Sequence, residues 1–153
     1  MTERRQLAGD LANLFADTYS LYLTTQRFHW NVEGPHFHSL HALFEEQYTE
    51  LALAVDALAE SVRSLGFYAP GTFAALQERS SLTQPEERLD AAGMVGFLAD
   101  AHSRVAAKAR ALLPASEAKG FEAINDVLMG RLDVHEKYTW MLRATLGEGS
   151  ETL

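Results

Sequence analysis

Four of the six histidines, His29, His36, His38 and His41, fall within thirteen residues of one another. Imidazole and carboxylate are the donors that a chain without cysteine can offer a transition metal. Two pairs four residues apart follow, His41 with Glu45 and Asp56 with Glu60. On a helix each pair projects from one face and could chelate a cation, although a single pair of this kind more often means a solvated surface. Together they say more: at about 100° per residue, His41, Glu45, Asp56 and Glu60 lie near 0°, 40°, 60° and 100° around the axis, on one stripe beside the apolar one. Glu45 and Asp56 are nevertheless about 16 Å apart along that axis, too far to ligate one ion or an adjacent pair of ions. An antiparallel copy of the same helix, related by a two-fold near residues 50 and 51, would set His41 against Glu60 and Glu45 against Asp56, making two identical sites per dimer. Any two i,i+4 pairs can be matched in this way, so the spacing permits the dimer without proving it. His29 is the natural third contributor. Two imidazoles with carboxylates suit Fe(II) at a site with open positions, and Zn(II) also accepts such donors; the plainer role for His29 is a satisfied interface histidine.

Those donors need helices to hold them. Leu7, Leu11, Leu14, Leu21 and Phe28 keep helical spacing from about residue 4 to 30, and Gly34-Pro35 closes that segment. From Phe37 through Phe44, Leu51 and Leu58 to Leu65 the apolar residues step by three or four, and Gly66 then ends a second helix. Residues 66–84 hold two glycines and a proline with an apolar patch around Phe73 to Leu76, which predicts a long crossover carrying a short helix. Thr83-Gln84-Pro85-Glu86 has the form of a capping box, so the next long helix is expected to start there and to run through Leu98, Val105 and Leu112 until Pro114. Ser116 is the expected cap of the last helix, which carries Ile124, Leu128, Tyr138 and Leu142 before Gly147. Two hairpins joined by a long connection describe an all-α, ferritin-like four-helix bundle with one crossover, a single domain over residues 1–153.

Composition narrows the chemistry. Of 153 residues, 47% are hydrophobic and 22% charged, enough to bury a core and too ordered a mix for a disordered tail. The absence of cysteine removes disulfides, thiolate zinc sites, iron–sulfur clusters and cysteine nucleophiles. Thirteen Lys and Arg against twenty-one Asp and Glu leave a formal net charge of −8, which repels phosphate and attracts cations. The first twenty residues carry scattered charges and no continuous apolar run, so neither a signal peptide nor a membrane span is expected there, and a cytoplasmic address is the default.

From His29 to Pro35 the segment HWNVEGP, then His41, Asp56 and Glu60 at their spacing, and finally VHEKYTWMLRATL near the C-terminus resemble the Dps family, the miniferritins named as DNA-binding proteins from starved cells. The resemblance runs through all four long segments. It implies a dodecameric shell with ferroxidase centres at two-fold interfaces, His29 and His41 from one chain meeting Asp56 and Glu60 of its neighbour. It also implies oxidation of Fe(II), hydrogen peroxide being the preferred oxidant, storage of ferric mineral in the cavity, and protection against oxidative stress. Glu45 stands where the family often has Asp, one methylene shorter, which changes the reach of that ligand. Trp30 corresponds to an aromatic near the centre, with a core position the alternative. Trp140 matches a second recurrent position and is expected in the core. Glu117, Glu122 and Asp126 match the family's three-fold iron-entry pores; acids favoured by the dipole at the start of the last helix are the alternative for Glu117 and Glu122.

Other readings stay open. A bacterioferritin-type subunit needs two Glu-x-x-His motifs on different helices, and the one such spacing, Glu33 to His36, straddles a turn. A structural, nucleoid-associated shell that binds metal without turnover is the non-enzyme alternative. His36 and His38 read as loop histidines without ligands. Family members that bind DNA use lysine-rich tails, whereas Arg4 and Arg5 are the basic residues nearest the termini here. With a net negative charge multiplied over a shell, direct DNA affinity is expected to be weak. Plasmid DNA should run unretarded beside the protein in a gel at neutral pH and moderate salt, and clear retardation would refute this.

Overall fold

In a computed structural model describing residues 2–153, five helices follow in order: α1 (Glu3–Asn31), α2 (Phe37–Ser64), α3 (Phe73–Arg79), α4 (Ala91–Ser116) and α5 (Glu122–Thr145). No strand is present among the described residues, so the all-α expectation holds. Thr2 caps α1 by accepting from Arg5 N, and Gly34 (φ +113°) makes the turn into α2. No helix among the described residues is long and apolar enough to cross a membrane.

Side-chain pairs fix how the helices run. Tyr22 stacks with Tyr48 and His29 with His41, so α1 and α2 are antiparallel. Phe28 meets Phe97 while Asp17 reaches Lys108, making α4 antiparallel to α1 and therefore parallel to α2. Parallel neighbours cannot be joined by a tight turn. Residues 65–90 must cross the length of the bundle, and α3 lies on that path. The core is continuous across all four long helices, with Leu11, Leu14, Phe28, Phe44, Leu98 and Leu128 almost wholly buried.

Three expected boundaries differ. Thr83-Gln84-Pro85-Glu86 does not begin a helix: Pro85 O accepts from Arg27 Nη1 at 2.5 Å and Gln84 Nε2 donates to Thr24 Oγ1 at 2.9 Å, which holds the segment extended along α1. The cap of α4 is Asp90, whose Oδ1 accepts from Gly93 N at 2.7 Å. Pro114 does not stop α4, which continues to Ser116. In the last turn a missing N–H costs one bond, to the carbonyl of the exposed Arg110, which water can satisfy. Ser116 is the last residue of α4 rather than the cap of α5; its Oγ donates to Leu113 O and accepts from Asn125 Nδ2 at 2.8 Å. A turn through Gly120 (φ +99°) intervenes, and Phe121 precedes α5 without a side-chain cap.

The crossover is anchored by a buried acid. Asp17, 1% exposed on α1, accepts from Ser80 Oγ, Ser81 N and Ser81 Oγ, and from Lys108 Nζ at 2.5 Å. Burial alone would raise its pKa, but the bonds from Lys108 and Ser81 win and hold the carboxyl below its ordinary range. Asp17→Ala strands those donors. It is expected to cost about 2–4 kcal/mol, read as a lower urea midpoint with faster proteolysis in residues 80–90. An unchanged midpoint would mean that the crossover is held elsewhere.

Candidate metal centre

At the α1–α2 junction, His29 is buried and His41 half-buried, and their rings stack 3.8 Å apart at 11°. Each ring reaches the other residue's backbone: His29 Nδ1 lies 2.7 Å from His41 O, and His41 Nδ1 lies 2.7 Å from His29 O. A carbonyl only accepts, so both Nδ1 atoms carry the proton and each neutral ring keeps its lone pair on Nε2. Orientation by a backbone carbonyl is the usual outer-shell support of a metal-binding imidazole. Tyr48 packs edge-on against His29 at 5.1 Å and Phe37 stacks on His41 at 5.0 Å, completing the walls.

Glu45, Asp56 and Glu60 are all exposed on the outer side of α2. These three acids lie outside the core cluster, whereas His41, on the same sequence stripe, turns to α1 and stacks on His29. Glu60 shares a hydrogen bond with Asp56, and that bond, with the Asp56 charge second, raises the Glu60 carboxyl above its ordinary value. Two carboxylates held this close favour a shared proton or a cation between them. Among the described residues of one chain, no three His, Asp or Glu side chains gather closely enough to hold a metal ion. His29 and His41 come together in one chain; Glu45 lies a turn further on, and Asp56 and Glu60 stand well down the helix. The donor types fit iron, with the imidazoles and the acidic pair in separate halves.

Trp30 is 60% exposed, directly after His29. Trp140, expected in the core, is 64% exposed. On α5 the buried residues His135, Tyr138 and Leu142 define the inward face, and Trp140, two residues past Tyr138, points about 200° away from it. His36 and His38 are exposed, and no hydrogen bond ties either ring. Glu117, Glu122 and Asp126 are exposed around the α4–α5 turn. Glu122 accepts from Gly120 N at 3.0 Å, and its own backbone N–H with that of Gly120 keeps the carboxyl below its ordinary range. Glu117 follows the C-terminus of α4, not the N-terminus of α5, so the helix dipole disfavours an acid there and does not explain it.

The two remaining histidines form a polar centre that the sequence reading passed over. His102 and His135, both wholly buried, meet Nδ1 to Nδ1 at 2.9 Å. Arg131 bonds His135 Nε2 at 3.1 Å and holds Glu50 through two bonds of 2.6 and 2.9 Å. Burial first, then neighbouring positive charge, drives both imidazoles far below their ordinary value, His102 to about 3. The signal was available: Arg131 and His135 sit four apart between Leu128 and Leu142, on the apolar stripe of the last helix.

Residues 9–151 match the Ferritin family, described as a ferritin-like domain. A DNA protection during starvation protein from Brevibacillus brevis is 35% identical over 95% of this chain and 98% of its own length. An uncharacterised low temperature-induced protein of Nostoc is 36% identical, over 93% of this chain and 81% of that one. The crystal structure of a Dps protein from Vibrio cholerae O1, described as a member of a broad superfamily of ferritin-like diiron-carboxylate proteins, superposes with a TM-score of 0.90 at 31% identity, covering 95% of this chain and 91% of the other. Sequence and fold converge, and the chain belongs to the Dps family of ferritin-like proteins.

Proposed function

We propose that the protein oxidises Fe(II) with hydrogen peroxide at centres shared between two-fold-related chains, and stores the ferric product inside a dodecameric shell. The observation that carries this reading is the reciprocal bonding of His29 and His41, which leaves two oriented Nε2 lone pairs with no protein partner. Asp56 and Glu60 of a second chain supply the negative charge that one chain alone does not bring to the histidines. Fe(II) is the substrate. Two of these ions each give one electron to one peroxide, whose O–O bond breaks to two hydroxides, so no hydroxyl radical is released. The protein's part is to hold two ions together with open positions for the oxidant. Glu45, longer than the Asp it replaces, reaches toward the same ions.

Glu117, Glu122 and Asp126 line three-fold pores that concentrate Fe(II) before oxidation. Support comes from their exposure at one corner of the fold and from the acid that the α4 dipole opposes. Zn(II) suits the same donors and competes with iron as an inert occupant.

Anaerobic titration of Fe(II)-loaded, size-characterised protein with peroxide tests the reading. About one peroxide consumed per two irons is expected, with no spin-trapped hydroxyl radical. Oxidation no faster than in buffer, by correctly assembled protein, would leave a shell that binds metal without turnover.

A further inference from the structure

Helix pairings place one polar residue after another at a single level of the bundle. Across α1 and α2, Tyr22 faces Tyr48, and across α1 and α4, Phe28 faces Phe97 with Asp17 facing Lys108. Across α4 and α5 His102 faces His135, and across α2 and α5 Glu50 faces Arg131. Stepping each antiparallel pair by equal amounts brings Gln47, His102 and His135 to the same height, with Arg131 one turn away. Gln47 and His102 are wholly buried and Arg131 nearly so.

The hydrogen bonds of this layer have a direction. Arginine can only donate, so His135 Nε2 is an acceptor and the proton of the neutral ring sits on Nδ1. That N–H donates to His102 Nδ1, which places the His102 proton on Nε2. His102 Nε2–H has no partner, and neither do Arg131 Nε–H or the amide nitrogen and oxygen of Gln47. Donors therefore outnumber acceptors, with the Gln47 oxygen the single acceptor among these four atoms. Buried polar atoms of this kind cost about 1–3 kcal/mol each when unmet, and internal water typically satisfies them.

A metal ion does not suit the layer: the free imidazole atom carries a proton, and Arg131 already brings a positive charge. An anion does not suit it either, because Glu50 matches Arg131 with two bonds. Tyr138, beside His102, is pushed up to about 12 by burial and by the charges of Glu50 and Glu46, which mark this seam as already negative.

We propose that the α2–α4–α5 layer is a binding site for one internal water molecule, which accepts from His102 Nε2–H and donates to Gln47 Oε1. The chain Glu50–Arg131–His135–His102 sets the His102 tautomer, and this water takes the Nε2–H at its end. The site is distinct from the His29–His41 centre and holds whether or not iron is oxidised there.

A crystal structure of the assembled protein at about 1.5 Å, with parallel zinc and bromide soaks, tests it. A peak at hydrogen-bond distance from His102 Nε2, without anomalous signal in either soak, is expected. An anomalous zinc or bromide peak at that position would overturn the proposal, as would a Gln47 Oε1 bonded directly to His102 with no peak between them. In Gln47→Leu the peak should vanish, and an unmoved peak at full occupancy would remove Gln47 as its acceptor. Should that variant not fold, the wild-type density still decides.

Discussion

His41→Ala and Asp56→Ala are each expected to slow peroxide-driven Fe(II) oxidation at least tenfold while leaving helix content and thermal midpoint close to wild type. Loss of one ligand to a metal substrate removes an interaction that the reaction needs in every turnover, and even outer-shell partners of metal ligands typically contribute 10–100-fold. In the proposed centre His41 would act twice, as a ligand through Nε2 and as the ring that stacks on His29 and bonds its carbonyl. Its substitution should therefore weaken iron binding at low loading more than Asp56→Ala does. Folding should tolerate both changes, because Asp56 is exposed and His41 lies outside the core cluster. Stopped-flow absorbance of the ferric product at two irons per chain gives the rate, and circular dichroism gives the fold. Full rates in both variants would remove the centre from α2. Mixing the two variants, after disassembly and reassembly, offers a sharper check. If each centre takes histidines from one chain and acids from the other, a heterodimer of His41→Ala with Asp56→Ala regains one intact centre of two, and recovery of part of the rate is expected.

The second large effect is on stability. Glu50→Ala leaves Arg131, with only 7% of its side chain exposed, without its carboxylate. Losing one partner of a buried pair commonly costs about 3–5 kcal/mol, and the 29% exposure of the Glu50 side chain lowers the expectation to about 2–3 kcal/mol. Glu50→Gln keeps an acceptor and should cost less. Urea midpoints of the two variants check the order, and equal midpoints would deny the pair its role.

Acid should attack the same cluster through His102 and His135. Both imidazoles are depressed in the folded protein, His102 to about 3, against about 6.5 in an unfolded chain. Between those values the unfolded chain binds more protons, so stability rises with pH across this window. It is fully present above about pH 7 and falls as the pH drops below about 6.5, where the unfolded state gains protons that the core refuses. Unfolding midpoints at pH 7.5, 6 and 4.5 should decline steadily, and His102→Gln with His135→Gln should flatten the upper part of that decline. A midpoint flat between pH 7.5 and 6 in wild type, or an unchanged slope in the double variant, would show that other groups control acid stability.

The paired histidines and the anchored crossover show where sequence reading reaches and where it stops. Helical period alone located four long segments, and the stripe of His41, Glu45, Asp56 and Glu60 was visible because residues on one helix keep their angular relation whatever surrounds them. Absent cysteine and the histidine cluster were enough to restrict the donors to nitrogen and oxygen. Those properties are local, and local geometry survives in any fold that keeps the helix.

Only the tertiary structure decided which polar groups are sealed and what they touch. The capping-box pattern at Thr83 was a sound local signal, yet Arg27, 58 residues before Pro85, and Asp17, 63 and 64 residues before Ser80 and Ser81, hold the crossover extended and move the helix cap to Asp90. Trp140 faces solvent because α5 turns His135 and Tyr138 inward, a choice of face that depends on α4. His102 and His135 lie thirty-three residues apart and become one hydrogen-bonded pair only when α4 and α5 pack. The mutual grip of His29 and His41 likewise needs the turn at Gly34. A sequence carries its periodicities in every conformation; burial, tautomer and pairing across helices exist only after distant segments have excluded water from between them.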